Sequence, residues 1–307
     1  MILKNVLAKQ WVQDNANSKS PSEDNMAHIE TNWKSKDGLD IFAQAWEPDV
    51  VQAKAVACLV HGLGEHSSRY AHVAEAFNKE GIILFTSDSR GHGKSAGARG
   101  HINSIEDFMG DIDILFEQAR ARYAGLPLFL YGHSLGGILV LHYTLLRKPN
   151  IKGVIATSPG LHTALENQTV KVLLAKILGS ISPTTAITSG LDANGISRDE
   201  RVVQIYNNDP LVHDKVSFGF GKVMLGVTKW TLENAKNFPL PLLLLHGKKD
   251  PIAFVSSSTE FAEPLKEKCT LVLWDDGLHE LHNEPEKDEV FKTMTLWMDA
   301  RLREGVS

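Results

Sequence analysis

Ser134 stands in the run Gly132-His133-Ser134-Leu135-Gly136-Gly137, between an apolar stretch, Pro127–Tyr131, and a helix-like stretch from Leu135 to Arg147. The five residues Gly132–Gly136 match G-x-S-x-G, the pattern in which a strand turns sharply into a helix and leaves a serine at the tip of the bend. A serine hydroxyl at neutral pH is a poor nucleophile. It needs a base to take its proton and a carboxylate to orient that base. Behind a serine on such a turn the chain order is carboxylate, then histidine, each on a loop after a strand. Asp250 follows the run Leu242–Leu245, and His279 follows Thr270–Trp274 through Asp275-Asp276-Gly277. The order fits an acyl-transfer site built from Ser134, Asp250 and His279. His282 competes with His279 for the role of base, and Asp275 and Asp276 compete with Asp250. The loop position and the preceding glycine favour His279, while both rival carboxylates lie too near it in sequence to fit the order.

An ester or amide carbonyl attacked by Ser134 becomes a tetrahedral oxyanion and needs N–H donors aimed at it beforehand. The amide of Leu135, next to the nucleophile, is one candidate. The second is Leu63, in the glycine-flanked loop His61-Gly62-Leu63-Gly64 after the strand-like run Ala53–Val60. The glycine-rich loop Asp88–Ser95 lacks the phosphate-binding spacing G-x-x-x-x-G-K-[ST] and is read as structural, with Asp88 or Arg90 fixing its neighbours. No His/Cys/Asp cluster has the spacing of metal ligands, and no cofactor is implied.

The elements that must position these groups alternate. His28–Lys34 and Leu39–Trp46 form a hairpin about Lys36-Asp37-Gly38. Strands over Ala53–Val60, Ile82–Ser87, Pro127–Tyr131, Gly153–Thr157, Leu242–Leu245 and Thr270–Trp274 are separated by helices. These helices run over Arg69–Glu80, Ser104–Tyr123, Leu135–Arg147, about Ser256–Glu267, and onward from Pro285. Ser104 and Asp107 form a capping box. Such alternation predicts an α/β fold with a mostly parallel sheet covered on both faces. Residues 160–232 break the rhythm, with no clear apolar strand and with Pro183, Gly190, Gly195, Gly219, Gly221 and Gly226. They are read as a helical insertion over the carboxyl edge of the sheet. Its stretch Val170, Leu173, Leu174, Ile177, Leu178 and Ile181, with Lys171 and Lys176 opposite, either packs on the core or forms a lid touching lipid interfaces. Residues 1–26 read as a polar arm and 27–307 as the folded domain.

Over 307 residues the net charge is −5 and 22% of side chains are charged, with no basic run. That excludes nucleic acid as the expected partner. No apolar stretch reaches membrane-spanning length. Met1–Gln10 is interrupted by Lys4 and Lys9 and lacks a signal-peptide core. Two cysteines, Cys58 and Cys269, read as buried free thiols. The expected location is cytoplasmic, with transient membrane-surface contact through the lid.

Taken together, several runs resemble the monoacylglycerol lipase, or lysophospholipase-like, branch of the α/β-hydrolases. They are His61–Tyr70, Asp88–Ser95, Gly132–Gly137, Ser158-Pro159, Ile205–Pro210 and Gly277–Glu284, in that order along the chain. The resemblance implies an eight-strand-type sheet with an inserted helical lid, and a triad of Ser134, Asp250 and His279. It also implies that Glu65, Arg69, Tyr206 and His282 hold a glycerol head group. The expected activity is hydrolysis of a monoacylglycerol, with a lysophospholipid or a short carboxylic ester as the alternative substrate.

Overall fold

The structure is a computed structural model and describes residues 26–163 and 177–304. The expected arm lies outside them except for Met26, which opens the first strand. So does most of the amphipathic stretch from Val170.

Eight strands form one sheet: β1 (Met26–Lys34), β2 (Asp40–Pro48), β3 (Ala55–Val60), β4 (Ile82–Ser87), β5 (Leu128–His133), β6 (Gly153–Thr157), β9 (Leu242–Gly247) and β10 (Cys269–Trp274). Their spatial order is β1-β2-β4-β3-β5-β6-β9-β10. The hairpin β1–β2 joins β4 antiparallel at one edge, and every pairing from β4 to β10 is parallel.

Side-chain alternation in the central strands builds two cores. In β3, Val56 and Cys58 face one core while Ala57 and Leu59 face the other; in β9, Leu242 and Leu244 oppose Leu243 and Leu245. Both faces are apolar, so the strands read as continuous hydrophobic runs. The helices α2 (Ile105–Arg122) and α3 (Leu135–Arg147) pack on the first face, with Phe108, Ile112 and Leu139 inward. On the other face α1 (Ala71–Lys79) and the last helix, α7 (Lys287–Arg303), bury Phe77, Val290 and Met294. Asp107 takes its capping position, its carboxylate accepting the N–H of Ser104 at 3.1 Å and of Asn103 at 3.0 Å.

Between β6 and β9 lie a small antiparallel pair, β7 (Ala186–Thr188) and β8 (Lys215–Ser217), and the helices α4 (Glu200–Asn208) and α5 (Phe218–Glu233). The pair corrects the expectation of a strand-free insertion. Each strand is three residues long and β7 is exposed, so neither leaves an apolar alternation to read. The glycines at 219, 221 and 226 sit inside α5 instead of breaking the chain. A Cβ on Gly219 would come within 2.8 Å of the Pro183 carbonyl oxygen, so that glycine lets the segment before β7 cross the start of the helix. Helix α6 (Ser256–Ala262) gives way to a 3₁₀ turn over Glu263–Lys268.

The loop Asp88–Ser95 is a brace. Asp88 accepts the N–H and the hydroxyl of Ser67 and the N–H of Lys94. Arg90 reaches Asp111 and Asp37. It fixes the chain that follows the His61–Gly64 loop, at the carboxyl ends of β3 and β4, where an α/β sheet opens its binding crevice.

Candidate active site

The turn between β5 and α3 holds Ser134 at φ +53°, ψ −113°, a conformation that costs about 1–3 kcal/mol for a residue with a Cβ. The flanking glycines allow the approach that imposes it. A Cβ on Gly136 would overlap the Val60 carbonyl oxygen, and one on Gly132 would overlap that of Gly136. The Ser134 N–H donates to Thr157 O at 2.9 Å, tying the turn to β6.

Loops after β9 and β10 bring the partners in. His279 Nε2 lies 2.9 Å from Ser134 Oγ, and its Nδ1 lies 2.7 Å from Asp250 Oδ2. A carboxylate only accepts, so the proton sits on Nδ1 and Nε2 is free to accept from the serine hydroxyl. The other carboxylate oxygen, Oδ1, accepts the N–H of Ile252 at 2.8 Å and of Ala253 at 3.0 Å. Burial works to raise the Asp250 carboxyl, but His279 and the hydrogen bonds from His246 and His279 outweigh it and hold it below the usual carboxylate range. Burial likewise opposes protonation of His279, yet the charge and hydrogen bond of Asp250 raise it above its ordinary value. The N–H groups of His279 and Glu280 donate to the carbonyls of Gly195 and Ile196, so the insertion helps to hold the base loop.

The competing residues lie elsewhere. His282 is fully buried, its ring stacked on Tyr70 at 4.8 Å and edge-on to His133 at 4.8 Å, and neither ring nitrogen has a hydrogen-bond partner among the described residues. Asp275 and Asp276 are exposed and pair with Lys248 and Lys249.

Leu63 and Leu135 border Ser134 in a cavity of about 480 Å³. Among the described residues neither amide donates a hydrogen bond, and Leu135, first in α3, has no intrahelical acceptor. The cavity wall is mainly apolar, with Ile138 from α3, Phe220, Met224 and Leu225 from α5, and Leu191 at the rim. A second cavity of about 30 Å³ also reaches Ser134, bordered by Glu65, His133, Tyr206, His279 and Glu280 together with the apolar Leu191, Ala193, Ile196 and Ile252.

Only two of the four residues expected around a head group border that space. Arg69 lies behind it, 4.8 Å under the Tyr206 ring, and gives its guanidinium N–H groups to Glu65 and Glu280. His282 is closed off by Tyr70 and His133 and touches neither cavity. Burial pushes the Glu65 carboxyl up, but Arg69, His133, His61 and the Tyr70 hydroxyl outweigh it and bring it down to about 2.

Three neighbours escaped the sequence reading. Glu280 carried a signal in its place directly after His279. His133 occupies the variable position before the nucleophile, and burial, then the nearby His279, pushes it down to about 4. His246 ends β9 fully buried, its Nε2 donating to Ala253 O at 2.9 Å and lying 3.3 Å from Asp250 Oδ2. Among the described residues no three His, Cys, Asp or Glu side chains converge as metal ligands would.

Residues 51–286 match the family described as serine aminopeptidase, S33. The chain is 32% identical to a monoacylglycerol lipase of Mycolicibacterium smegmatis over 267 residues, 86% of this chain and 95% of that protein. It is 38% identical to an uncharacterized abhydrolase domain-containing protein of Dictyostelium discoideum over 275 residues, 89% of this chain but only 29% of that longer protein. The crystal structure of Paleococcus ferrophilus monoacylglycerol lipase superposes with a TM-score of 0.76 at 33% identity, covering 90% of this chain and all of that one.

Proposed function

The chain belongs to the serine aminopeptidase S33 family of α/β-hydrolases, in the branch that includes monoacylglycerol lipases, and we propose that it hydrolyses monoacylglycerols to glycerol and fatty acid through an acyl-enzyme on Ser134. One observation carries this reading. The Ser134 hydroxyl, 2.9 Å from His279 Nε2, borders both an apolar cavity of about 480 Å³ and a small one of about 30 Å³ whose wall includes the polar side chains of Glu65, Tyr206 and Glu280. An acyl chain fits the first, and a hydroxylated leaving group meets the second at Tyr206.

In this mechanism Ser134 Oγ attacks the ester carbonyl as its proton passes to His279 Nε2. Asp250 holds the Nδ1–H tautomer and stabilises the imidazolium. The amides of Leu63 and Leu135 receive the oxyanion. His279 then protonates the departing glycerol oxygen, and the acyl group stays on Ser134. Water enters, His279 takes its proton, and a second tetrahedral intermediate collapses to release the fatty acid and regenerate the serine.

The insertion supplies a route for an apolar substrate. Ile177, Ile181, Ile187 and Leu191 are exposed, and Leu191 borders the large cavity. No helix among the described residues is long and apolar enough to cross a membrane. The proposed contact is at a lipid surface, through these exposed apolar side chains of the insertion.

Hydrolysis of monooleoylglycerol, dioleoylglycerol, oleoyl lysophosphatidylcholine, a short nitrophenyl ester and an aminoacyl anilide, read as released fatty acid, nitrophenol or aniline, tests the substrate. The expected order puts monooleoylglycerol first by at least tenfold in kcat/KM. A lead for the lysophospholipid or the anilide overturns the assignment of the leaving group while leaving the nucleophile in place.

A further inference from the structure

Glu65, Arg69 and Glu280 form one buried ion cluster. Glu65 and Glu280 are 2% and 3% exposed, and the Arg69 side chain is 8% exposed. The Glu65 carboxylate reaches back three residues to accept the Gly62 N–H at 2.6 Å, closing the turn on which Leu63 sits. The same oxygen accepts the Tyr70 hydroxyl at 2.8 Å, and its other oxygen accepts Arg69 Nη1 at 2.5 Å. Arg69 then grips Glu280 with two parallel bonds of 2.7 Å each, and Asn283 adds a third donor to that carboxylate at 2.7 Å. Glu280 is the residue after His279. The cluster therefore runs without a break from the turn bearing one proposed oxyanion donor to the loop bearing the proposed base.

Resting on the acyl-enzyme reading above, we propose that this Glu65–Arg69–Glu280 clasp is a positioning device, setting the Leu63 turn against the His279 loop, and not a binding site for the substrate's head group. Three observations favour it. Every oxygen of both carboxylates already has a donor within the protein, so the cluster is complete without a ligand. Arg69 is screened from the small cavity by the Tyr206 ring. Gly62 is pinned between the clasp and the nucleophile: a Cβ there would lie 2.7 Å from Glu65 Oε1 and 3.3 Å from Ser134 Cβ. A shift of Glu65 therefore moves the turn directly against Ser134. Bidentate arginine–carboxylate pairs fix orientation as well as distance, which suits a part whose task is alignment.

The two roles diverge on a substrate without a diol. Glu65→Ala, Glu65→Gln and Glu280→Ala are compared with the unsubstituted protein on monooleoylglycerol and on nitrophenyl butyrate, with thermal unfolding measured for each. A positioning clasp predicts that Glu65→Ala lowers kcat about 100-fold on both esters, the loss typical of one misplaced oxyanion donor, with KM within about threefold. Glu65→Gln, which keeps an acceptor for the Gly62 N–H, recovers to within about tenfold of the parent. Glu280→Ala lowers kcat by the same factor on both esters. Should an alanine variant fail to fold, Glu65→Gln decides alone: a rate deficit equal on the two esters supports the clasp. Loss confined to monooleoylglycerol, or a raised KM for it alone, overturns the proposal in favour of head-group binding. Unchanged rates on both esters overturn it too. A parent protein that hydrolyses neither ester removes the acyl-enzyme reading, and the clasp with it.

Discussion

Replacing Ser134 with alanine is expected to lower kcat on monooleoylglycerol by about 10⁵- to 10⁶-fold, the scale set by removing a serine nucleophile that works as a unit with its base. No other hydroxyl is hydrogen-bonded to His279 Nε2, so no neighbour takes over the attack among the described residues. What remains is water attack on a carbonyl held by the proposed donors, the Leu63 and Leu135 amides, and that residue of catalysis is small. The fold is expected to survive. Ser134 Oγ makes one hydrogen bond, to His279, while the turn is held by its backbone bond to Thr157 and by the space left at Gly132 and Gly136. Thermal unfolding within a few degrees of the parent, together with the lost rate, is the expected pair of results. A variant within tenfold of the parent activity contradicts the assignment.

Asp250→Asn carries the second large effect, a fall in kcat of about 10⁴-fold. The carboxylate keeps the proton of His279 on Nδ1. An amide can turn its oxygen or its NH₂ toward the ring, and with the NH₂ facing Nδ1 the proton moves to Nε2, where it blocks transfer from the serine. The Ile252 and Ala253 N–H groups, which donate to Asp250 Oδ1, bias that choice by holding the amide oxygen on their side and leaving the NH₂ toward the ring. The pH dependence follows with a definite sign. Neutral His279 is the active form, so kcat/KM in the parent falls as pH drops through the histidine's pKa. Burial lowers that pKa, and Asp250 outweighs burial and raises it, which places the acid limb above the ordinary 6.5. With asparagine the burial effect stands against the remaining, more distant carboxylates, and the acid limb moves to lower pH. The pH–rate profiles of the two proteins read this directly. An acid limb that stays in place or moves up in the Asp250→Asn variant contradicts the role given to the carboxylate.

The parts of the site that sequence made legible are those set by short stretches of chain. Gly132, Gly136 and Gly137 around Ser134 announce a strand-to-helix turn because no side chain fits there, and the structure supplies the obstacles. Asp250 and His279 could be chosen from several carboxylates and thirteen histidines because each follows an apolar strand by a few residues. The sheet was readable for the same reason, its central strands being apolar on both faces. The remainder depends on long-range packing. His282 is three residues from His279, and nothing in that spacing says that Tyr70 and His133 enclose it. Arg69 looks like half of an exposed i,i+4 pair with Glu65 until Glu280, 211 residues away, is seen to take its other side. The glycines of α5 signal a broken chain, and their accommodation at Gly219 is a crossing with Pro183 that no local pattern encodes.

The central claim is that Ser134 becomes acylated. Its most direct test is reaction with a fluorophosphonate, which traps an activated serine, followed by peptide mapping of the adduct. The account predicts one modified residue, Ser134, with labelling slowed when monooleoylglycerol is present. An adduct on another serine, or no adduct in protein that still releases fatty acid, contradicts it.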